Sequence, residues 1–192
     1  MTLALITPPA LEPLELTDIK LYLRIDHDDE DQLLIDTLKA ARQHVEAISN
    51  RKLITQSWRQ YETSFPADHQ LTLKVAPVQS LVAVTAYDCD GNAQLLDEDT
   101  VQLIRGSYPA AISFDSGFDA AASAVAANGL EIDIIAGMGD TGVEVDDALK
   151  RAILMLVAHW YEFRGAVAPE QQPVSMPAGI DALIAPYKRL GL

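Results

Sequence analysis

The chain has 192 residues, of which 49% are hydrophobic and 22% are charged. This hydrophobic fraction excludes a largely disordered chain and predicts one globular unit or two small ones. The 14 Lys and Arg residues against 28 Asp and Glu residues give a formal net charge of −14, which disfavours proteins that bind nucleic-acid phosphates or anionic membrane surfaces.

The sequence also indicates the compartment. The N-terminal run MTLALIT has no basic residue and is followed by Pro8 and Pro9, so we do not expect a signal peptide. The longest apolar run, at 152–158, is too short to cross a bilayer. Cys89 is the only cysteine, which excludes an internal disulfide and suits a reducing environment. We therefore predict a soluble, cytoplasmic protein without membrane contact.

The first part of the chain has the periodicity of helices. Thr17 is predicted to cap a short helix that runs to Arg24 and buries Ile19 and Leu23. An acidic run follows at 26–31, where negative charge suits the N-terminal end of a second helix. Behind it, apolar residues recur at helical spacing: Leu34, Leu38, Ala41, Val45 and Ile48.

From Thr55 the pattern becomes that of short strands. The candidate strands lie at 57–63, 71–75, 82–87, 101–104, 111–114 and 130–135. Residues 88–91 have the composition of a hairpin turn, with Gly91 suited to a positive φ. Several short strands joined by turns predict an antiparallel sandwich or small barrel. The alanine-rich stretch 119–129 is predicted to be a mobile loop, and its role is open.

Helical periodicity returns after Asp146. The repeating apolar residues are Leu149, Ile153, Leu156, Trp160 and Phe163. Most other faces of this helix are apolar too, which predicts that it is covered on several sides. We expect part of that cover to come from another subunit, with the interface candidates Leu154, Met155, Trp160 and Tyr161.

The end of the chain is predicted to be an arm. Gly165 should end the long helix. Pro169, Pro173 and Pro177 favour an extended segment over 166–177. A short helix is expected around 180–185, before Pro186.

These elements predict the α+β class. Residues 1–54 and 144–192 are expected to form a helical body from both ends of the chain. Residues 55–143 are expected to form an antiparallel β module, sandwich-like or barrel-like, inserted into that body.

The candidate metal-binding, phosphate-binding and catalytic segments fit structural roles better than chemical ones. The acidic run 26–31 lacks the Gly and Glu of a calcium-binding loop at the required positions. The glycine-rich segment 137–142 lacks the Lys-Ser/Thr pair of a phosphate-binding loop. His159 and Glu162 share a helical face without further ligands, and Cys89 has no neighbouring His. We predict no catalytic, cofactor-binding or metal residues, and no enzyme.

Ordered blocks spread over almost the whole chain carry a family resemblance. They are Pro9-x-x-Glu12-Pro13-Leu14, Leu21-x-Leu23-Arg24-Ile25-Asp26, Arg51-x-Leu53-Ile54-Thr55-Gln56-x-Trp58, Ala76-Pro77-Val78-Gln79-Ser80, Gly137-x-Gly139, His159-Trp160-Tyr161-Glu162 and Pro177-x-Gly179-Ile180-x-x-Leu183-Ile184-x-Pro186-Tyr187. With them the chain resembles the long form of the head–tail connector (adaptor) family of tailed phages, prophages and gene transfer agents. The stretch 119–129 departs from the family pattern.

The resemblance implies a ring of roughly a dozen subunits beneath the portal protein. Such a ring extends the DNA channel, lets DNA pass without specific binding, and meets a further connector or tail component in the neck of the particle. A free subunit that stays monomeric is compatible with it. The resemblance also implies portal docking by the C-terminal arm, which gives the candidates Ile180, Leu183, Ile184, Tyr187, Lys188 and Arg189.

Three other functions stay open at this point. The first is a tail-completion or terminator protein of the same particle. The second is a small-ligand-binding or enzymatic β module, which would need a pocket with convergent polar groups. The third is a DNA-contacting packaging factor, which the acidic balance disfavours.

Overall fold

The computed structural model describes residues 2–104, 109–115, 128–163 and 178–188. In these ranges it contains the helices α1 (Leu16–Leu23), α2 (Asp31–Ser49), α3 (Asp147–Glu162) and α4 (Ala178–Ile184). The strands are β1 (Thr2–Thr7), β2 (Gln56–Glu62), β3 (Gln70–Thr72), β4 (Val78–Tyr87), β5 (Ala93–Leu95), β6 (Val101–Ile104), β7 (Ala111–Phe114) and β8 (Leu130–Ala136). Every paired strand is antiparallel, so the predicted α+β class is confirmed.

The chain divides into two compact units. The β unit consists of Met1–Ala10 and Thr55–Met138, and the helical unit of Leu11–Ile54 and Gly139–Leu192. The first ten residues had been predicted to join the helical body, which is wrong. They contribute β1, which pairs with β2, because the charge-free sequence Thr-Leu-Ala-Leu-Ile-Thr suits a strand. The later boundary lies at 138/139, five residues before the predicted one.

The β unit contains two open sheets. One has the order β1-β2-β8-β4-β5 and the other β3-β7-β6, so the predicted barrel is not closed. Both sheets contribute to one hydrophobic cluster, in which β8 alternates between buried Leu130, Ile132 and Ile134 and the less buried Glu131 and Asp133. This alternation is the period of two that places successive side chains on opposite faces of a strand.

Gln60 links the two sheets through hydrogen bonds. Its side chain is fully buried on β2. The side-chain Nε2 donates to the Thr72 carbonyl oxygen at 3.0 Å and to a Glu62 carboxylate oxygen at 2.7 Å. Its Oε1 accepts from the backbone N–H of Lys74 at 2.9 Å. Because all these polar groups find partners, the buried amide joins β2 to β3 and the segment after it.

Arg59 occupies the other face of the larger sheet. Its guanidinium donates to both carboxylate oxygens of Asp133, at 2.6 and 2.8 Å, and lies 3.0 Å from Glu131. The hydrogen bonds to Asp133 and the charge of both carboxylates raise the pKa of Arg59. The pairing is bidentate, which fixes the register of β2 and β8 on this face.

The helical unit buries one face of each helix. Its fully buried apolar residues include Ile19 on α1, Leu34 and Val45 on α2, and Ile153 and Leu156 on α3. The predicted helical stripes are therefore confirmed in their central turns.

The ends of the helices differ from the prediction in detail. On α3, Trp160 is only partly buried, and Phe163, which is the C-cap of α3 and not part of it, is 40% exposed. Helix α1 is capped by Glu15 instead of Thr17, because Glu15 and Asp18 form a reciprocal capping box.

We predict that Gly129→Ala destabilises the protein strongly. Gly129 has φ +109°, and a Cβ atom there would collide with the backbone carbonyl oxygen of Glu62. We expect the free energy of unfolding to fall by about 2–3 kcal/mol in chemical denaturation. Gly91→Ala is the matched control, because Gly91 has φ +83° but open space around it, and should cost only about 1 kcal/mol. Equal losses would contradict the predicted collision.

Candidate assembly surfaces

The helical unit carries an open groove with exposed apolar side chains. Its walls come from α1, from the segment before α1 and from the start of α3. The lining residues are Leu11, Glu12, Pro13, Leu14, Glu15, Asp18, Leu21, Tyr22, Arg24, Thr141, Gly142, Val143, Asp147, Lys150, Arg151 and Leu154. Leu21 is 81% exposed and Val143 is 90% exposed. Apolar side chains clustered in this way indicate a contact surface.

Local hydrogen bonds fix the walls of this groove. The backbone N–H of Glu15 donates to Asp18 at 3.0 Å, which starts α1. Helix α1 ends at Arg24, whose left-handed conformation (φ 60°) acts as the C-cap. On the opposite wall, the backbone N–H of Thr141 donates to Glu144 at 2.9 Å, which holds the 3₁₀ turn Gly142–Glu144. Val143 sits on that turn.

The groove contains cations that are held in place. The Arg151 guanidinium carbon lies 4.8 Å from the centre of the Tyr22 ring, a cation–π contact between α3 and α1. Lys150 lies 2.7 Å from Asp147 and lowers the pKa of that carboxyl group. The groove therefore combines apolar side chains with ordered positive and negative charges. The sequence did not single out this set, because its residues come from separate segments.

A buried ionic cluster anchors the segment that leads into the groove. Arg42 on α2 lies 2.7 Å from Glu12 and 3.3 Å from Glu46, and both Arg42 and Glu46 are almost fully buried. Glu46 also accepts from the backbone N–H of Leu53 at 3.1 Å. Lys52 lies 3.9 Å from Glu46, and burial lowers the pKa of Lys52. The cluster ties two loop segments to α2.

The C-terminal residues predicted to dock on the portal do not share one exposed surface. Ile180 and Ile184 are fully buried, whereas Leu183 is partly exposed. The two isoleucines fill the core of the helical unit because they lie four apart on one face of α4. They are therefore unavailable for docking while α4 stays packed.

The residues after α4 are held against the helical unit. The pKa of Tyr187 is raised by burial and by a hydrogen bond to Asp146. Lys188 lies 2.9 Å from Asp181 in an exposed ion pair. Arg189, Gly165 and the predicted arm at 166–177 lie outside the described residues. Of the alanine-rich stretch 119–129, only residues 128 and 129 lie within them. A docking role for the C-terminal residues stays a prediction.

The four interface candidates on α3 are all partly exposed: Leu154, Met155, Trp160 and Tyr161. Leu154 lines the groove. The Trp160 ring meets the edge of His44 with 5.6 Å between ring centres, and the Tyr161 hydroxyl donates to Glu30. Their contact with another subunit stays a prediction.

The sequence segments considered for chemistry have structural partners. Asp88 accepts from the backbone N–H groups of Asp90 and Asn92 at 2.9 and 2.8 Å, which closes the turn beside exposed Cys89. The His159 ring lies 5.0 Å from the Phe163 ring. Among the residues that the structure describes, no group of three or more His, Cys, Asp or Glu side chains is placed to hold a metal ion.

None of the described helices combines the length and apolar character needed to cross a bilayer.

Known structures share the whole fold. The chain superimposes on a protein from the neck of an empty gene transfer agent (GTA) particle, computed with C6 symmetry, with a TM-score of 0.81 and 24% identity. A protein from the virion of a native GTA particle gives the same values. A protein from the neck of a native GTA particle, computed with C12 symmetry, gives a TM-score of 0.74 and 23% identity. In each case the match covers 100% of this chain and 97% of the other.

The sequence adds a family match. Residues 13–102 match the model of the phage gp6-like head-tail connector protein family. This confirms the resemblance to the connector family that the sequence blocks indicated. The matched segment contains α1 and α2 and continues through β2–β5 into β6. No curated protein matches the chain significantly.

We predict that Arg42→Met destabilises the protein by about 3 kcal/mol, because it leaves Glu46 buried without its main partner. Lys188→Met is the control, since the exposed Lys188–Asp181 pair should contribute less than about 0.5 kcal/mol. Chemical denaturation measures both changes. A second substitution, Glu46→Gln, should recover part of the loss in the Arg42→Met background. Equal small losses for Arg42→Met and Lys188→Met would contradict an anchoring role for the cluster.

Proposed function

We propose that this chain is a structural head–tail connector (adaptor) subunit. It forms a ring beneath the portal, extends the DNA channel and joins the capsid to the tail. The observation that carries the proposal is the match of residues 13–102 to the connector family. The whole-chain fold likeness to proteins of GTA particle necks supports it. In this role the protein is assembled in the cytoplasm and then resides in the neck of a phage or GTA-like particle.

The helical unit, Leu11–Ile54 and Gly139–Leu192, is the body of the proposed ring subunit, and most of the two-sheet β unit is inserted between these two segments. The groove beside α1 and the partly exposed residues of α3 give this body apolar surface that its own core does not cover. Leu154, Met155, Trp160 and Tyr161 are proposed to face a neighbouring copy. Cyclic head-to-tail contacts bury such surface on every copy.

Portal docking is proposed for the outward side of the C-terminal segment. Leu183, Tyr187 and Lys188 remain partly exposed, and Arg189 follows them. Ile180 and Ile184 support this surface from inside, because their burial fixes α4 on the helical unit. The docking contact therefore combines an apolar side chain with two positive charges.

The proposed channel conducts DNA without holding it. A subunit with a net charge of −14 repels the phosphate backbone over most of its surface. Duplex DNA carries one negative charge per roughly 1.7 Å, so a bore with many Lys or Arg residues would grip it. An acidic wall lets the duplex slide.

The role is mechanical and does not involve turnover or a cofactor. The pocket described for the β unit has a volume of about 320 Å³ and is lined mainly by aliphatic side chains, with Asp97 and Glu98 as its acidic residues. An enzymatic β module would need several convergent polar groups of different chemistry. The observed lining favours a contact between polypeptides.

Co-expression with the portal protein of the same particle tests the connector role. After purification through a tag on the portal, electron microscopy should show an added ring beneath it. Leu183→Asp combined with Lys188→Glu should weaken ring binding at least tenfold, because both changes alter the exposed side of the C-terminal segment. Ile35→Asp is the matched control, since Ile35 is 40% exposed on α2.

Two results would decide against parts of this proposal. If the ring forms equally well with the double variant, docking by the C-terminal segment is wrong. If no form of the chain binds a well-formed portal ring, the connector role is wrong. A tail-completion role is then tested by binding to the tail tube.

Weak DNA binding is expected even at low ionic strength. Fluorescence anisotropy with a labelled duplex at about 50 mM salt should show no saturable binding below micromolar protein, because few phosphates can be neutralised. Tight binding that weakens steeply with added salt would contradict the acidic channel and favour a DNA-contacting packaging factor.

A further inference from the structure

In the described part of the chain, the larger sheet of the β unit has an open edge at β1. Its edge strand β1 has six residues, Thr2–Thr7, and contains neither a charge nor a proline. Leu5 is 45% exposed and Ile6 is 53% exposed. Natural sheets usually protect such edges with charged residues, prolines, β-bulges or very short strands. Of these features β1 has only a register irregularity near its end, between Leu5 and Thr7, whereas strand β5 has only three residues. An edge of this length without charge or proline is suited to pairing with another strand.

A second open edge lies on the opposite side of the same sheet. Strand β4 has ten residues, but β5 pairs only with Thr85, Ala86 and Tyr87. Across the structurally described part of the chain, no strand pairs with residues 78–83 on the side away from β8. Within the described residues, these six positions of β4 keep an open edge of the same length as β1, with register irregularities at Val78/Ser80 and Leu81/Ala83.

The directions of these two edges suit each other. In the order β1-β2-β8-β4, each strand runs antiparallel to its neighbour, so the first and fourth strands run in opposite directions. If a second copy continued the sheet, its β1 would lie antiparallel to β4. Antiparallel pairing is the slightly more stable ladder. The contact uses two different surfaces, so it can repeat around a ring.

A pocket beside the free part of β4 suits the exposed side chains of β1. Its apolar lining includes Leu81, Val82, Leu95 and Leu103. Val82 is 55% exposed and Leu95 66% exposed. The volume of about 320 Å³ is large enough for an aliphatic side chain, such as Leu5 of an incoming strand.

Charge does not oppose a second copy at these two strands, since Asp97 and Glu98 beside the pocket would face the uncharged strand β1. Copies that each carry −14 repel one another wherever their carboxylates approach. Strands β1 and β4 contain no charged residue, so pairing them brings no like charges directly opposite. Cross-strand like charges would oppose pairing.

We propose that strand β1 of one copy adds antiparallel to residues 78–83 of β4 in the next copy, with Leu5 covering the pocket beside Val82. This inference deepens the proposed connector role, because it names a contact between neighbouring subunits of the ring.

Disulfide trapping between two variants tests the contact. Exposed Cys89 is first replaced by Ser. One set of variants carries a cysteine at Leu5, Ile6 or Thr7, and the other carries one at Ser80 or Val82. Mixed in equal amounts at high concentration and oxidised, at least one combination should give a cross-linked dimer as its main product, since a disulfide needs Cα atoms within about 7 Å. Val143→Cys mixed with Ile6→Cys is the control, because Val143 is 90% exposed in the helical unit.

The same trapping on portal-bound rings separates this inference from the connector role. A β1–β4 cross-link well above the control supports the inference, provided that portal-bound rings, where they form, also give it. If Ile6→Cys alone cross-links best, β1 pairs with β1 and the inference is wrong. Portal-bound rings without the β1–β4 cross-link leave the connector role intact but overturn the inference. If the copies cross-link through β1 and β4 but never bind the portal, the contact is supported and the connector role is wrong.

Discussion

The packing of α2 against α3 is the contact on which the helical unit depends. Leu34 and Val45 on α2, and Ile153 and Leu156 on α3, are fully buried, although residues 55–138 of the β unit lie between these helices in the sequence. The insertion is tolerated because it begins and ends at one place: Gln56 at the start of β2 is the register partner of Ala136 at the end of β8. Closing a long loop costs entropy that grows only slowly with length, and a folded insert with adjacent ends lowers that cost.

Periodicity predicts the elements whose burial is set locally. The strands at Val101–Ile104 and Ala111–Phe114 have the predicted limits. The strand predicted at 71–75 is confirmed only as far as Thr72, although Leu73 and Val75 are buried. Strand β1 was missed because its partner, β2, lies about fifty residues later. A six-residue apolar run does not indicate such a distant pairing.

Assembly surfaces are harder to predict than the core, because apolar composition does not distinguish them. Ile180 and Leu21 are both aliphatic residues on short helices, yet the first is fully buried and the second is 81% exposed. The sequence assigned docking to Ile180 and overlooked Leu21. What separates them is the position of distant segments, since the groove around Leu21 is completed by residues 141–154. Only the tertiary structure brings these residues together.

The strong negative charge and the proposed self-association are compatible because charge acts locally. At about 0.1 M salt, interactions between exposed charges are largely screened beyond about 10 Å. The net charge of −14 therefore opposes association mainly where carboxylates of two copies come close. Strand β1 and the free part of β4 contain no charged residue, so two copies can pair there without placing carboxylates directly opposite each other. An acidic subunit with uncharged edges can stay soluble as a free chain and still associate in one orientation, and a bore lined by its remaining surface would not bind DNA.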